Sequence, residues 1–389
     1  MLYIPQKIQN IINTLTLNGF EAYIVGGCVR DMLLGKAPHD FDITTSATPQ
    51  EIISLFKKTV PTGIKHGTVT VVSNGEPTEI TTFRTDGTYS DCRRPDSVIF
   101  VQSLKEDLAR RDFTVNALAY NDNVGLQDFF GGRYDLENRI LRTVGKAERR
   151  FIEDALRILR LFRFSSVLDF QIENETLNSA LKSVPLLESI SRERIFTELF
   201  KSICGQNPSA MLPLTESGAL KFLGFKKSPD YSKIKRLNSN ANLAFFSFLY
   251  LSDCSTERTL SLLKCSNRLK LYCKGLETLL KMPPAADKKQ LKEMLNLTSS
   301  EMVFDYLLFS SAVLERNTIQ SSKMLKEIMD LKEPYKISDL EIDGQELKKI
   351  GITGVKAGVT LELLRQAVTD CPDNNKKSIL IDKAKQINS

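Results

Sequence analysis

The chain has 389 residues, 42% of them hydrophobic and 26% charged, with a formal net charge of +6 and two histidines, His39 and His66. It is long enough for two to four domains, too apolar to be disordered, and lacks the run of eighteen apolar residues that a membrane span needs. With so few histidines, histidine metal sites and triads are nearly excluded, and the chemistry falls to carboxylates, arginines and metal.

The first residues, MLYIPQKIQNII, lack the basic-then-apolar layout of a signal peptide. Seven scattered cysteines with no CxxC read as free thiols in a reducing cytoplasm, which is where the protein is expected. The basic balance is mild and by itself implies no nucleic acid.

Residues 1–145 are mixed. A β-branched strand at 22–25 breaks at Gly26-Gly27 and restarts as an apolar stretch of helical period, CVRDMLLG. Such a turn offers bare backbone N–H groups to an anion. Asp40 and Asp42 follow. On a strand, residues i and i+2 face the same way, so the two carboxylates aim at one point and suit Mg²⁺ against a nucleotide phosphate. Further strands are expected at 68–73, 78–83 and 98–101, separated by turn signals. Glu79, in the second of these, is a candidate third carboxylate for a two-metal mechanism. Residues 84–95, RTDGTYSDCRRP, have the composition of a mobile polar loop.

LARRDFTVNALAY (108–120) comes next. Its apolar end looks helical, which makes Asp112 the expected N-cap of FTVNALAY and leaves Arg111 free to reach a triphosphate or ribose. From about 150 the pattern turns helical and stays so. In FIEDALRILRLFRF, Asp154, Arg157, Arg160 and Arg163 recur every third residue. Positions three apart are neighbours on a helix, so Asp154 and Arg157 would set an acceptor beside donors. That pair complements the amino group and ring nitrogen of cytosine and of adenine, and it rejects guanine and uracil. Arg160 would position the pair or meet phosphate. The helical drift turns Arg163 away from Asp154.

The remainder is helix after helix, with breaks near 206–208, 237–241, 283–286 and 372–375. Lys226, Lys227, Lys233, Lys235, Arg236, Lys264, Arg268, Lys270 and Lys274, with Tyr231 and Tyr272 nearby, are a candidate track for a phosphate backbone.

The motifs GGCVRD (26–31), DFD (40–42), TEITTFRTDG (78–87), RRDFTVNALAY (110–120) and EDALRILR (153–160) resemble those of the class II tRNA nucleotidyltransferases, the family of bacterial CCA-adding enzymes and poly(A) polymerases. The resemblance implies an α+β chain: a polymerase-β-like head at 1–145, then an all-α neck at 146–205, body at 206–280 and tail at 281–389. It implies Mg²⁺ on Asp40 and Asp42, nucleotide phosphates and ribose at Gly27, Arg30 and Arg111, and base reading by Asp154 and Arg157 with Arg160 and Arg163 beside them. The implied reaction is template-independent addition of CCA to the tRNA 3′ end from CTP and ATP, with contacts to the acceptor end and elbow of tRNA and no protein partner. An A-adding tRNA nucleotidyltransferase or a poly(A) polymerase is the alternative, and an RNA-binding module without catalysis is a reading of another class. CC-adding members lack the loop that is present here at 84–95. The tail segment 337–368 matches loosely, with KAGVT (356–360) replacing a Gly-Pro-rich stretch, and no histidine–aspartate phosphohydrolase module is present.

Overall fold

A computed structural model describes residues 2–73, 75–87 and 97–389. Most of the expected loop, from residue 88 to 95, lies outside the described residues. The chain divides into two compact units, Met1–Tyr231 with Leu262–Lys264, and Ser232–Ser261 with Cys265–Ser389. The boundaries expected near 145 and 205 fall inside the first unit and the one near 280 inside the second, so the division into head, neck, body and tail stays a proposal.

The first unit opens with helix α1 (Gln6–Leu17), strand β1 (Ala22–Val25), helix α2 (Gly27–Leu33), strand β2 (Asp42–Thr45) and helix α3 (Pro49–Leu55). Strands β3 (Thr59–Gly63), β4 (Thr68–Ser73) and β5 (Glu76–Thr82) follow, and then the short pair β6 (Arg84–Asp86) and β7 (Val98–Phe100). Helix α4 (Leu104–Ala109), strands β8 (Leu118–Asn121) and β9 (Gly125–Asp128), helix α5 (Gly132–Glu137) and strand β10 (Ile140–Leu141) come next. Seven strands form one sheet in the order β3-β4-β5-β2-β1-β8-β9. β6 and β7 pair with each other, Arg84 opposite Phe100 and Asp86 opposite Val98, so the described start of the expected loop forms a small ribbon with the strand that follows the loop.

Both faces of the sheet centre are covered. On one face α1 contributes Ile8, Ile11, Ile12 and Leu15, spaced as one helical stripe, against Ile24, Ile43, Val69, Val71 and Ile80. On the other face Tyr23, Val25, Ala117 and Ala119 pack with Phe83, Leu104 and Leu108. β1 therefore buries all four of its residues, as a strand covered on both faces does. Each fully buried isoleucine contributes roughly 1.5–3 kcal/mol.

Two local expectations fail. FTVNALAY is not a helix. One 3₁₀ turn (Thr114–Asn116) leads into β8, which is wedged between β1 and β9 with all four residues buried. An apolar run of that length, apolar on every side, fits a doubly covered strand as well as a helix, and the sheet decides. Asp112 is accordingly not a helix N-cap. The long helix expected from 151 is two helices, α6 (Ala147–Glu153) and α7 (Leu156–Leu168). Asp154 breaks them in an extended conformation (φ −140°, ψ 104°), and its carboxylate accepts the Leu156 N–H at 3.0 Å. Strand β11 (Gln171–Ile172), helix α8 (Asn174–Lys182) and helix α9 (Arg192–Ile203) follow, α9 packing against α7.

The second unit is helical among its described residues, from Ala241–Leu251 to Lys377–Asn388. Its C-terminal helices enclose Leu347, Leu364, Val368 and Leu380. KAGVT lies within the first turns of the helix Val355–Asp370. The two tyrosines expected beside a phosphate track are committed elsewhere. Tyr231, in the first unit, is buried and its hydroxyl donates to Thr215, while Tyr272 donates to Asp305 at 2.6 Å. No helix among the described residues is long and apolar enough to cross a membrane, and the six described cysteines are free thiols.

Candidate active site

The site grows from the end of β1. Val25 stands opposite Asp42, the first residue of β2, and Asp40 lies two residues before it, ahead of the strand and not on it as expected. The Asp40 charge reaches Asp42. Loss of water lifts the Asp42 pKa above its usual value, Arg111 pulls against that shift, and Asp40 adds to it. No described residue hydrogen-bonds to either carboxyl. Two hard oxygen donors that repel each other and accept no hydrogen bond from a described residue fit a divalent cation of the magnesium type. Asp40, Asp42 and Glu79 line one cleft of about 590 Å³. Among the described residues no three His, Cys, Asp or Glu side chains converge as a ligand group, so Glu79 as a third metal ligand stays a proposal.

On the other side of β2 stands a net of arginines. Gly26, which caps α2, has φ +80°, a conformation L side chains rarely adopt, and a Cβ there would lie 3.0 Å from Arg111 Nη1. The glycine thus serves both the turn and the close approach of Arg111. Arg111 is held by an ion pair to Asp107 at 3.6 Å, its Nε is buried without a partner, and burial lowers its pKa while Asp107 opposes that shift. Asp107 is fully buried and also binds Thr44 Oγ1 (3.1 Å), the Arg84 N–H (3.3 Å) and Arg110 Nε (3.0 Å). It ties the metal-side strand, the β6 ribbon and Arg111 to one carboxylate.

A second chain of contacts starts at Gly27. A Cβ there would lie 3.6 Å from Arg30, whose Nη1 donates to Asn116 Oδ1 at 2.7 Å. Asn116 Nδ2 in turn donates to Asp112 Oδ1 at 3.1 Å, and Asp112 Oδ2 accepts from Arg160 Nε and Nη2 at 2.8 and 2.6 Å. Asp112 is therefore the hinge of an arginine-holding network. Arg30, Arg160 and Arg163 also share the ring of Phe164, at 5.2, 5.3 and 4.2 Å from its centroid. Arg163 pairs with Glu198 of α9 at 2.6 Å.

The expected Asp154–Arg157 pair does not form. Arg157 Nη1 binds Glu153 Oε2 at 2.7 Å and the Arg150 carbonyl at 3.2 Å, and its Nη2 binds the Arg110 carbonyl at 3.1 Å. Asp154, displaced by the helix break, accepts from Arg194 Nη2 at 3.2 Å. The two side chains flank the break instead of bonding across a helical turn. Arg157 has five N–H donors, of which three are accounted for.

Six residues escaped the sequence reading: Asp107, Asn116, Glu153, Phe164, Arg194 and Glu198. Asp107 sits three and four residues before Arg110 and Arg111, and Glu153 four before Arg157, so helical spacing carried a signal for both. Asn116 sits four residues after Asp112 and Phe164 four after Arg160, a local spacing too; for Arg194 and Glu198 nothing local in the sequence points to the partner.

Residues 22–142 match the family described as the poly(A) polymerase head domain, and residues 169–225 match a probable RNA- and SrmB-binding site of polymerase A. A CCA-adding enzyme of Staphylococcus haemolyticus is 39% identical over 377 residues, 95% of this chain and 94% of that protein. One from Ligilactobacillus salivarius is 54% identical over 203 residues, 52% of this chain and 50% of its own length. Among solved structures, the Bacillus stearothermophilus CCA-adding enzyme in complex with CTP aligns with a TM-score of 0.81 and 31% identity, covering 98% of this chain and 97% of its own. A Thermotoga maritima CCA-adding enzyme complexed with tRNA shares the fold at a TM-score of 0.72 and 24% identity, covering 99% and 96%.

Proposed function

The chain belongs to the CCA-adding family of tRNA nucleotidyltransferases, and from that premise we propose how its residues divide the work. It adds CCA to the 3′ end of tRNA from CTP and ATP. The A-adding and poly(A) alternatives are not favoured, because relatives alike over nearly the whole chain are CCA-adding enzymes. In the reaction the tRNA 3′-hydroxyl attacks the α-phosphorus of the nucleotide, a P–O bond forms, and the bond to pyrophosphate breaks.

One observation carries the assignment of the centre: the Asp40 and Asp42 carboxyls have no hydrogen-bond partner among the described residues and stand near the buried Arg111. As a family, nucleotidyltransferases use a divalent metal. Asp40 and Asp42 would hold it as Mg²⁺, and it would supply activation of the attacking hydroxyl and neutralisation of charge on the phosphates. Arg111, fixed by Asp107, and Arg30, fixed by Asn116, orient the triphosphate and ribose near Gly26 and Gly27. Glu79 assists on the cleft side. Asp154 and the uncommitted N–H groups of Arg157 read the base edge, with Glu153 and Arg194 holding the two side chains apart. Arg160 and Arg163 support that frame through Asp112 and Phe164. The helical body and tail, 206–280 and 281–389, bind tRNA.

The test combines purified protein with a tRNA transcript lacking CCA and with CTP and ATP, separately and together. CTP alone is expected to add C residues and the mixture to complete CCA. Asp42→Ala is expected to lower the rate by roughly 10³-fold or more while leaving the fold intact, since the metal contributes several kcal/mol to the transition state. Near-normal turnover of that variant would refute the metal assignment. Addition of A alone, and only to tRNA ending in CC, would restore the A-adding reading.

A further inference from the structure

The cleft beside the metal pair is distinct from the arginine net. It is lined by Asp40, Asp42 and Glu79 together with Lys7, Thr62 and Thr70, and none of Gly26, Gly27, Arg30, Arg111, Asp154 or Arg157 reaches it. The strand order explains the separation. β1 and β8 flank β2 on one side and carry the turn and the arginines, while β5, β4 and β3 extend from its other side.

Register then places a polar row across those strands. Ile43 pairs with Ile80, so Asp42 stands beside Glu79, and Glu79 pairs with Thr70. A register shift between Val60 and Gly63 brings Thr62 over, and Thr62 Oγ1 lies 2.9 Å from Thr70 Oγ1. Bulges of this kind re-aim side chains beside active sites. Asp42, Glu79, Thr70 and Thr62 thus follow one line over four strands. With strands ~4.8 Å apart, Thr70 is roughly 10 Å across the sheet from Asp42. In the threonine pair one hydroxyl donates to the other, which leaves a second O–H to donate outward.

In-line displacement puts the attacking oxygen and the leaving pyrophosphate on opposite sides of the α-phosphorus. With the triphosphate on the arginine side, the attacking strand must enter from the cleft side. That strand ends in a different nucleotide at each of the three additions. A subsite serving all three must therefore hold the sugar–phosphate backbone and not the base edge. Hydroxyl groups and a lysine make such sequence-independent contacts. A sugar whose 3′-hydroxyl meets Asp42 carries its own 5′-phosphate outward along the row.

We propose that the cleft formed by the Asp42–Glu79–Thr70–Thr62 row, closed at its end by Lys7 in its ion pair with Glu76, seats the backbone of the 3′-terminal nucleotide of the tRNA, with the free O–H of the Thr62–Thr70 pair donating to its phosphate. The assignment rests on the proposed function above. The test replaces both threonines by valine, which keeps β-branched shape and removes only the hydroxyls. For Thr62→Val/Thr70→Val, kcat/KM for tRNA lacking CCA is expected to fall about tenfold, the loss of one hydrogen bond to a charged oxygen. KM for CTP is expected to stay unchanged, and the first C, second C and terminal A are expected to slow by a common factor. The serine variant, Thr62→Ser/Thr70→Ser, should restore the wild-type rate. Unchanged tRNA kinetics, a parallel rise in KM for CTP, slowing of one addition only, or failure of serine to rescue would each overturn the proposal. Should the double valine variant not fold, Thr62→Val alone, at an exposed position, carries the same test. Failure of the wild type to extend the tRNA at all would instead overturn the functional reading.

Discussion

Asp112 shows how strongly one carboxylate can be held. Burial alone would raise its pKa, yet the charge of Arg160 and hydrogen bonds from Asn116 and Arg160 bring it down to about 2. A carboxylate with a depressed pKa contributes stability that is fully present above its unfolded value and is lost as pH falls towards its folded value. Against an unfolded value near 3.9, the difference is of order 2 kcal/mol, and with Asp112 8% exposed little of it is screened. Asp112→Asn is therefore expected to lower stability at pH 7 by about that amount. The gap to wild type should narrow as pH falls below about 4. Urea-unfolding midpoints of both proteins from pH 7 down to pH 3 check this, and a gap independent of pH would mean the charge is not what holds the network.

At the level of elements, the break between α6 and α7 matters more than either helix. An unbroken helix would point Asp154 and Arg157 along one face, where they would pair with each other. The break at Asp154 gives each a different partner, Arg194 for the one and Glu153 for the other. Both then keep bonding capacity for a nucleotide. Asp154→Asn retains an oxygen for the Leu156 N–H, so the cap survives, but it gives up the partly exposed ion pair to Arg194, and stability should fall by about 1 kcal/mol. The amide replaces an acceptor oxygen by a donor, so selection of C and A over U and G should relax. Incorporation of each of the four nucleotides measured singly is the check, and full selectivity in that variant would make Asp154 a purely structural cap. Arg157→Ala is a poorer probe, because it leaves Glu153, half of a mostly buried ion pair, without this partner.

Over the whole molecule, the chain carries a net +6 with 53 Lys and Arg residues, a modest excess for a protein that grips an RNA. If the basic helical segments hold tRNA phosphates, each neutralised phosphate releases condensed counterions, and log affinity falls linearly with log salt. Equilibrium binding of labelled tRNA between 50 and 200 mM salt should weaken by at least about tenfold, as it does for proteins making several such contacts. KM for CTP, a small ligand that on the proposed reading meets the arginine net and the base-reading residues, should move far less. A tRNA affinity that ignores salt would place recognition in hydrogen bonds and shape instead. Tyr231 is buried and adds no stacking face to that surface, while Tyr272 is half-buried with its hydroxyl donated to Asp305.

The turn proposed to hold the nucleotide was legible in the sequence because its causes are local. A β-branched run ends at a glycine that accepts positive φ, and two aspartates one residue apart cannot lie far from each other, whatever the rest of the molecule does. The α+β head and the helical remainder were legible for the same reason, as a change of hydrophobic period near residue 150. What the sequence left open was settled by residues far apart along it. LAYN becomes a strand because β1 and β9 sandwich it, not because of its own preference. Arg160 finds Asp112 across 48 residues and Arg30 finds Asn116 across 86, while the helical spacing of Asp154 and Arg157 pointed to a bond that the chain does not make. Periodicity constrains neighbours within a turn or two. The partner of a buried charge is chosen by whichever opposite charge the packed core leaves within reach, and only the tertiary structure decides that.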